Sequence, residues 1–156
     1  MKTIYVDTSV FGGKFDYEFK LWTDLFFEKV IQSDIKLIYS DVAEEELTNA
    51  PFEVKSFVQS IPKKNILRTK LTEEAVLLAE KYLYEKVVGK SSRADCYHIA
   101  IATILKADLL VSWNFKHIVN IQKINGYNAV NLKSGYKTIE IRNPREIFDY
   151  ENEDEK

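Results

Sequence analysis

Four polar side chains of this sequence follow predicted strands or lie in helices connected to them, and their types are those that bind metal ions. Asp7 directly follows an apolar run typical of a buried strand, and Asn114 follows another such run. Glu46 falls in the second turn of a helix predicted after a strand, and Asp95 in the first turn of a helix that leads into one. Ligands of open α/β sheets bind at the carboxyl ends of the strands, so we expect all four side chains at that edge.

Clustered carboxylates repel one another and cost stability unless a cation lies among them. Hard oxygen ligands select Mg²⁺ or Mn²⁺ over Zn²⁺. We therefore expect Asp7, Glu46 and Asp95 to hold Mg²⁺ or Mn²⁺, with Asn114 supplying an amide oxygen or holding a metal-bound water. Each residue also has a simpler explanation. Asp7 fits a turn, Glu46 a solvated acidic helix face, Asp95 a capping box with Ser92, and Asn114 the cap of the next helix.

The elements that must position these residues alternate between strand and helix. Strands are predicted at Lys2–Val6, Lys36–Tyr39, Ile66–Arg68, Leu109–Ser112, Ala129–Leu132 and Thr138–Ile141. Helices are predicted at Asp16–Ser33, Asp41–Asn49, Phe52–Ser60, Thr72–Val88, Ser92–Lys106 and Phe115–Ile124, with Ser40 and Thr72 as caps. This alternation predicts an α/β fold, a three-layer sandwich with a mostly parallel central sheet flanked by helices.

Composition limits the kind of protein this is. The 156 residues suit one domain, and 46% hydrophobic with 29% charged residues is an ordinary globular balance. The single Cys96 excludes an intramolecular disulfide framework and a cysteine-rich zinc site, and it fits a reducing compartment. The sequence contains neither an apolar run of about 18 residues nor the pattern of a signal peptide. We therefore expect a cytoplasmic protein without a membrane span.

The charge of the chain is unevenly distributed. We expect one domain over residues 1–148 and an acidic C-terminal tail over residues 149–156, where five acids and one Lys stand together. The tail therefore carries a net charge of −4, and because the whole chain has −2, the body carries +2 and is mildly basic. Any binding of nucleic acid would rely on a local basic patch rather than on a global field.

Four segments resemble, in order and spacing, the motif series of PIN-domain nucleases, whose best-known members are VapC-type toxins of bacterial toxin–antitoxin pairs. They are IYVDTSVF at 4–11, SDVAEEEL at 40–47, ADCYHIAIAT at 94–103 and LLVSWNFKHI at 109–118. The resemblance implies that Asp7, Glu46 and Asp95 are the metal-site acids. Glu45 competes with Glu46, which is preferred because the family places its acid directly before a leucine, here Leu47.

The fourth segment departs from the family pattern. The family has Thr or Ser, then Asp or Asn two residues later, often with a further Asp. Here Ser112 is followed by Asn114 and then by His117, so the site holds three acids rather than four or five. The role of His117 stays open. His98, one turn after Asp95, is expected to be a partly buried hydrogen-bonding residue rather than a ligand.

The resemblance implies a metal-dependent ribonuclease in which water cleaves the RNA phosphodiester bond and a 5′-phosphate remains. It also implies an antitoxin as a possible protein partner. Two other functions stay open. One is a catalytically weak or inactive PIN-like module that binds RNA or a protein, which the fourth segment favours. The other is a phosphatase-like or flap-nuclease-like hydrolase with similar acids. Lys14, Lys90, Arg93 and Lys116 flank the motifs and are candidates for contact with RNA phosphates.

An aromatic and apolar helix face predicts self-association. It is formed by Leu21, Trp22, Leu25, Phe26 and Phe27, with Tyr82 and Tyr84 adding to it. Large apolar surfaces usually mark interfaces, and a twofold pair is the commonest assembly. We therefore expect a homodimer, and the same face could instead meet an antitoxin.

Overall fold

The computed structural model describes residues 2–148 and contains one five-stranded sheet. Its strands are β1 (Thr3–Val6), β2 (Lys36–Ser40), β3 (Ile66–Thr69), β4 (Leu109–Val111) and β5 (Ile141–Arg142). Their order is β3-β2-β1-β4-β5, and every neighbouring pair is parallel. The predicted α/β fold with a parallel central sheet is confirmed. β1 lies at the centre, so its carboxyl end is flanked by those of β2 and β4.

Seven helices surround the sheet among the described residues. They are α1 (Thr8–Gly13), α2 (Lys20–Gln32), α3 (Asp41–Glu46), α4 (Phe52–Ser60), α5 (Glu73–Tyr84), α6 (Arg93–Ile104) and α7 (Ile121–Lys133). The Ser40 hydroxyl accepts a hydrogen bond from the Ala43 amide at the start of α3, and Thr72 does the same for α5. Both predicted caps are confirmed. Within this described part of the chain, no helix is long and apolar enough to cross a membrane.

The sheet is buried on both faces, which makes the fold a three-layer sandwich. Tyr5 in β1 packs on one side with residues of α5, α6 and α7. Its neighbours Ile4 and Val6 pack on the other side with residues of α1, α2, α3 and α4. Successive side chains of a strand point to opposite faces, so two helical layers require strands that are apolar throughout. The apolar strand sequences reflect this double burial.

The end of the predicted topology is wrong. Residues 129–132 are part of α7, not a strand, because the Asn120 side chain caps a helix that runs unbroken to Lys133. Residues 115–119 form turns rather than the start of a helix. The last strand is only Ile141–Arg142, beside β4.

The apolar face behind the predicted homodimer is smaller than the sequence indicates. Phe26, Phe27 and Tyr82 are buried in the two cores, where they fill the space between helices and sheet. Leu21 and Tyr84 remain exposed, at 64% and 85%. The acidic tail predicted at residues 149–156 lies outside the described residues.

Candidate metal centre

The carboxyl ends of three adjacent strands bring polar side chains together. Asp7 follows β1, Ser40 ends β2, and Ser112 follows β4. All three are buried, and Asp7 is only 4% exposed. A buried carboxylate must be hydrogen-bonded or neutralised, because its desolvation is costly. The surroundings of Asp7 meet that need with hydroxyl groups.

Two serines orient the Asp7 carboxylate. The hydroxyls of Ser9 and Ser112 both donate to Oδ2, each at 2.7 Å. Each serine oxygen also accepts a backbone N–H, Ser9 from Trp113 and Ser112 from Asn114, both at 2.9 Å. Asp7 occupies the N-cap position of α1 but, among the described residues, makes no capping bond with its side chain. The turn explanation for Asp7 therefore gives way to a carboxylate fixed by its neighbours.

Glu46 approaches the same place from the end of α3. Its Oε1 lies 2.5 Å from Nε2 of His98 and accepts a hydrogen bond from the Thr8 hydroxyl at 2.9 Å. Burial alone raises the pKa of Glu46, but the hydrogen bond and charge of His98 and the hydrogen bond from Thr8 outweigh it. The pKa of Glu46 therefore lies below its usual value. Glu45 and Glu46 are both exposed, but the side chain of Glu46 is the one that makes these contacts with Thr8 and His98.

His98 joins Glu46 to Asp7. Its Nε2 is 3.5 Å from Oδ1 of Asp7, and the ligand atoms of Asp7, Glu46 and His98 all lie within 4.8 Å of one another. Burial lowers the pKa of His98, but the contact with Glu46 and the charges of Asp7 and Asp95 raise it above the usual value. The expected hydrogen bonding of this histidine agrees with the geometry, and its burial is complete rather than partial. Its two acidic neighbours were not foreseen, although its position one turn after Asp95 was the available signal.

Asp95 lies in the first turn of α6, half-buried beside this group. Burial raises its pKa to about 6, and the negative charge of Asp7 adds to the effect. Its Oδ1 accepts a hydrogen bond from the Asn114 amide at 3.4 Å. Ser92 makes no side-chain capping bond in the described part of the chain, so a capping box does not explain Asp95. The Asp95 carboxylate stands outside the tightest group of ligand atoms but within its electrostatic field.

Asn114 links the end of β4 to Asp95. Its Oδ1 accepts the backbone N–H of His117 at 2.9 Å, and its amide nitrogen faces Asp95. The backbone oxygen of His117 in turn accepts the Tyr127 hydroxyl. Asn114 thus caps the following turn, as its simpler explanation predicts, and also contacts the acidic group. The His117 side chain acts on Asp95 through its charge, which lowers the pKa of that acid.

The basic residues that flank the motifs differ in their availability. Lys14 forms an ion pair with Asp24 at 2.8 Å, and Arg93 forms one with Glu80. Lys90 and Lys116 are exposed. Lys90 begins a short 3₁₀ helix just before α6, and Lys116 lies in the turn two residues after Asn114, so in sequence both are close to residues of the acidic group.

Aromatic rings continue the surface beyond Asn114. Trp113 stacks on Phe19 with ring centres 4.3 Å apart, and Phe115 lies tilted 6.0 Å from Trp113. Trp113 is buried, and its indole N–H donates to the Thr23 hydroxyl at 2.9 Å. Phe115 is exposed and completes a short aromatic row next to the site. Trp113 therefore packs in the core, whereas Phe115 faces the surface.

The donor set fits a hard divalent cation. Asp7 has one oxygen held by two serines and its other oxygen directed at the His98 side of the group. Glu46 and Asp95 add carboxylates, and the pKa of Asp95 is raised first by burial and then by the negative charge of Asp7. Carboxylate oxygens are the ligands that Mg²⁺ and Mn²⁺ prefer, and a cation would relieve the repulsion.

Comparison with known proteins supports the fold. No protein-family model and no curated protein matches the chain. Among solved structures, the chain is similar to the crystal structure of FitAcB from Neisseria gonorrhoeae, with a TM-score of 0.56 and 16% sequence identity. The match covers 90% of this chain and 97% of that one. At this identity the likeness concerns the fold alone, an α/β arrangement with a parallel central sheet flanked by helices.

Proposed function

We propose that the protein is a metal-dependent ribonuclease that hydrolyses RNA phosphodiester bonds. The observation that carries the proposal is the close approach of Asp7 and Glu46 at the carboxyl edge of a parallel sheet, with Asp95 within their electrostatic field. Ligands bind at this edge in α/β folds. Neighbouring carboxylates that repel one another are costly for a protein to keep unless a cation uses them.

Asp7, Glu46 and Asp95 would hold Mg²⁺ or Mn²⁺ in this proposal. When bound, such an ion supplies positive charge for the phosphate oxygens and makes its water a better nucleophile. The chain keeps its acids in place by hydrogen bonds: Ser9 and Ser112 hold Asp7, and Asn114 contacts Asp95. Water adds to phosphorus, the 3′ oxygen leaves with a proton, and a 5′-phosphate remains on the downstream product.

Single-stranded RNA is the substrate that the surroundings of the site favour. The exposed cations Lys90 and Lys116 lie in short segments next to Asp95 and Asn114 in the sequence, where they can meet phosphates. Phe115 offers an exposed ring next to Asn114, and unpaired bases stack on such rings. RNA helices do not offer their bases in this way, so we expect cleavage in loops and single strands.

A cleavage assay across substrate classes tests this function. The full chain is incubated with labelled single-stranded RNA, single-stranded DNA and a small phosphodiester, each with Mg²⁺, with Mn²⁺ and with a chelator. We expect cleavage of RNA alone, a 5′-phosphate on the product, and loss of activity with the chelator. We also expect Mn²⁺ to support the higher rate, because it binds nitrogen and oxygen sites more readily than Mg²⁺. Cleavage of the small phosphodiester or of DNA in preference to RNA would contradict the proposal.

A binding module with little or no turnover is the second candidate. It is favoured by the fourth segment, where Asn114 supplies an amide in place of a further acid and uses its oxygen to cap a turn. This candidate predicts RNA binding that survives without cleavage at millimolar Mn²⁺. A gel-shift assay on the same RNA, read beside the cleavage assay, separates the two.

A toxin of a toxin–antitoxin pair is the biological role that we propose for the ribonuclease, with the antitoxin as protein partner. The role predicts a neighbouring reading frame for a small DNA-binding protein. Co-expression of that protein should restore the growth of cells that the chain alone arrests. Growth arrest that persists with the neighbour, or no arrest at all, would remove the toxin role and leave the ribonuclease activity to be judged separately.

A further inference from the structure

His98 lies behind the proposed metal ligands and has no role in the proposed function so far. Its ring is fully buried, and both of its nitrogens have partners. Nε2 contacts Glu46, and Nδ1 lies 2.5 Å from the Tyr5 hydroxyl. That hydroxyl lies 2.7 Å from the hydroxyl of Ser40. These contacts form one row of side chains that begins at the end of β2 and ends in the acidic group: Ser40, Tyr5, His98 and Glu46.

The contacts of Ser40 at one end of this row allow a consistent direction for its hydrogen bonds. The Ser40 oxygen accepts the Ala43 amide N–H, so its own proton is free to point to Tyr5. Burial raises the pKa of Tyr5 far above its usual value, so its hydroxyl stays protonated. Ser40 can then donate to Tyr5, and Tyr5 to Nδ1 of His98. In that order every buried group has both a donor and an acceptor.

The proton on His98 then has to sit on Nε2. With Tyr5 donating to Nδ1, the neutral ring carries its proton on Nε2 and donates it to Glu46. A positively charged ring carries protons on both nitrogens and still donates to Glu46. The remaining form, a neutral ring protonated only on Nδ1, would set a bare Nε2 against the carboxylates of Glu46 and Asp7, where acceptor faces acceptor. Both favourable forms give Glu46 a hydrogen-bond donor.

We propose that His98 is a positioning residue, held by Tyr5 and Ser40, that fixes the Glu46 carboxylate for metal binding through a hydrogen bond from Nε2. The proposal rests on the proposed metal site and adds the reason why an acid on a short helix has a defined orientation. Glu46 belongs to the last turn of the six-residue α3, where its long side chain has several rotamers. His98 and Thr8 restrict it to one.

Two amide variants separate the nitrogens of the ring. The side-chain amide of Gln reaches about as far as Nε2, whereas that of Asn reaches only about as far as Nδ1. His98→Gln therefore keeps a donor for Glu46, and His98→Asn keeps only the contact with Tyr5. We expect His98→Asn to weaken Mn²⁺ binding, measured by calorimetry on the full chain, by roughly tenfold or more. His98→Gln should recover most of that loss.

Three further readouts distinguish positioning from other roles. Thermal unfolding without metal should place the two variants close together, since both introduce an amide into the same buried space. In cleavage assays at saturating Mn²⁺, the loss in His98→Asn should fall on kcat rather than on the KM for RNA. Nitrogen-15 NMR of the imidazole with Mg²⁺ added should show Nε2 still protonated. Glu45→Gln, one residue from Glu46 and exposed, is the matched control and should leave metal binding unchanged.

These measurements separate a failure of the positioning role of His98 from a failure of the proposed metal site. If the parent binds Mn²⁺ and His98→Asn binds it equally well, the positioning role is overturned and the metal site stands. If Nε2 loses its proton when Mg²⁺ is added, His98 is itself a ligand, and the positioning role is again overturned. If the parent binds no divalent cation, the proposed function is overturned and the positioning role with it.

Discussion

Asp95 is the acid whose charge the folded protein tolerates least. Its pKa rises to about 6 in the fold because of burial and the nearby Asp7, against about 3.9 for an unfolded chain. Above pH 6 the charged form therefore destabilises the folded state, and the penalty disappears as the pH falls through 6 toward 4. We expect Asp95→Asn to stabilise the metal-free protein at pH 7.5 by on the order of 1 kcal/mol, after allowance for solvent screening.

Thermal unfolding at pH 7.5 and at pH 4 measures this prediction. The gain in Asp95→Asn should be present at the higher pH and largely absent at the lower one, because the parent is protonated there too. Glu45→Gln serves as the control for removing a charge at an exposed position. An equal gain for Asp95→Asn at both pH values would mean that its charge does not cause the effect.

Asn114 gives the second prediction at the residue scale. Asn114→Asp keeps an oxygen for the His117 N–H but replaces the amide that faces Asp95 with a second negative charge. We expect the metal-free variant to melt at a lower temperature than the parent and to bind Mn²⁺ roughly tenfold more tightly, equivalent to about 1.4 kcal/mol, without loss of activity. Calorimetry and unfolding curves with and without Mn²⁺ report both effects. Unchanged affinity would place residue 114 outside the site, as the cap of the next turn.

The site could be predicted from the sequence where residue type and strand position coincide. Asp7 and Asn114 follow apolar strands, so their place at the sheet edge follows from the strand pattern. The partners that orient the acids could not be predicted in the same way. Tyr5 and His98 look like core residues in the sequence, and only the packing of α6 against β1 makes them neighbours. Their contact joins positions 93 residues apart.

At the scale of elements, the fold class was predicted correctly, but helices and strands near the end of the chain were misassigned where a segment is too short to show a pattern. The strand Ile141–Arg142 has two residues, too few for a period to appear. The helix α7 did carry a signal, because Tyr127, Val130 and Asn131 are buried at helical spacing. Asn131 is one of these buried positions, but a polar residue does not look buried in the sequence. Without it, the apolar residues between 129 and 132 are assigned to a strand. β1, β2 and β4, which deliver the site, were long and apolar enough to be predicted within about a residue at their ends.

The contact between α1 and the loop after β4 gives a prediction at the element scale. A Cβ at Gly13 would lie 2.7 Å from the indole nitrogen of Trp113 and 2.8 Å from the Thr23 hydroxyl, whereas a Cβ at Gly12 has nothing within 4 Å. We expect Gly13→Ala to destabilise the protein by about 1–3 kcal/mol through overpacking. Because the Trp113 backbone holds Ser9, it should also lower metal affinity.

Gly12→Ala is the matched control for this contact. Alanine favours a helix over glycine by up to about 1 kcal/mol, so this variant should be as stable as the parent or slightly more so. Urea unfolding followed by tryptophan fluorescence measures both variants. Equal stability of the two would mean that Trp113 can move away at no cost, and that α1 and the loop are not tightly coupled.

For the whole molecule, the homodimer stays a prediction. The exposed apolar surface that supports it is smaller than the sequence indicates, because part of the predicted face is buried in the cores. Leu21 and Tyr17 are exposed near the start of α2 and line a shallow groove with Trp22. We expect light scattering at high micromolar concentration to give twice the 18.2-kDa chain mass, and Leu21→Arg to return it to the mass of one chain. A monomeric parent at that concentration would reject self-association through this face.

The proposed metal centre depends most on Asp7, which is buried, held by two serines and placed at the carboxyl end of the central strand β1. The decisive measurement is the rate of RNA cleavage at saturating Mn²⁺ for the parent, Asp7→Asn and Glu45→Gln, with the melting temperature of each as a check of folding. Asp7→Asn should lose activity by roughly a hundredfold or more while it stays folded, because the substitution removes the charge of a proposed metal ligand. Glu45→Gln should keep the parent rate. A folded Asp7→Asn protein that cleaves RNA as fast as the parent would contradict the assignment of the metal centre.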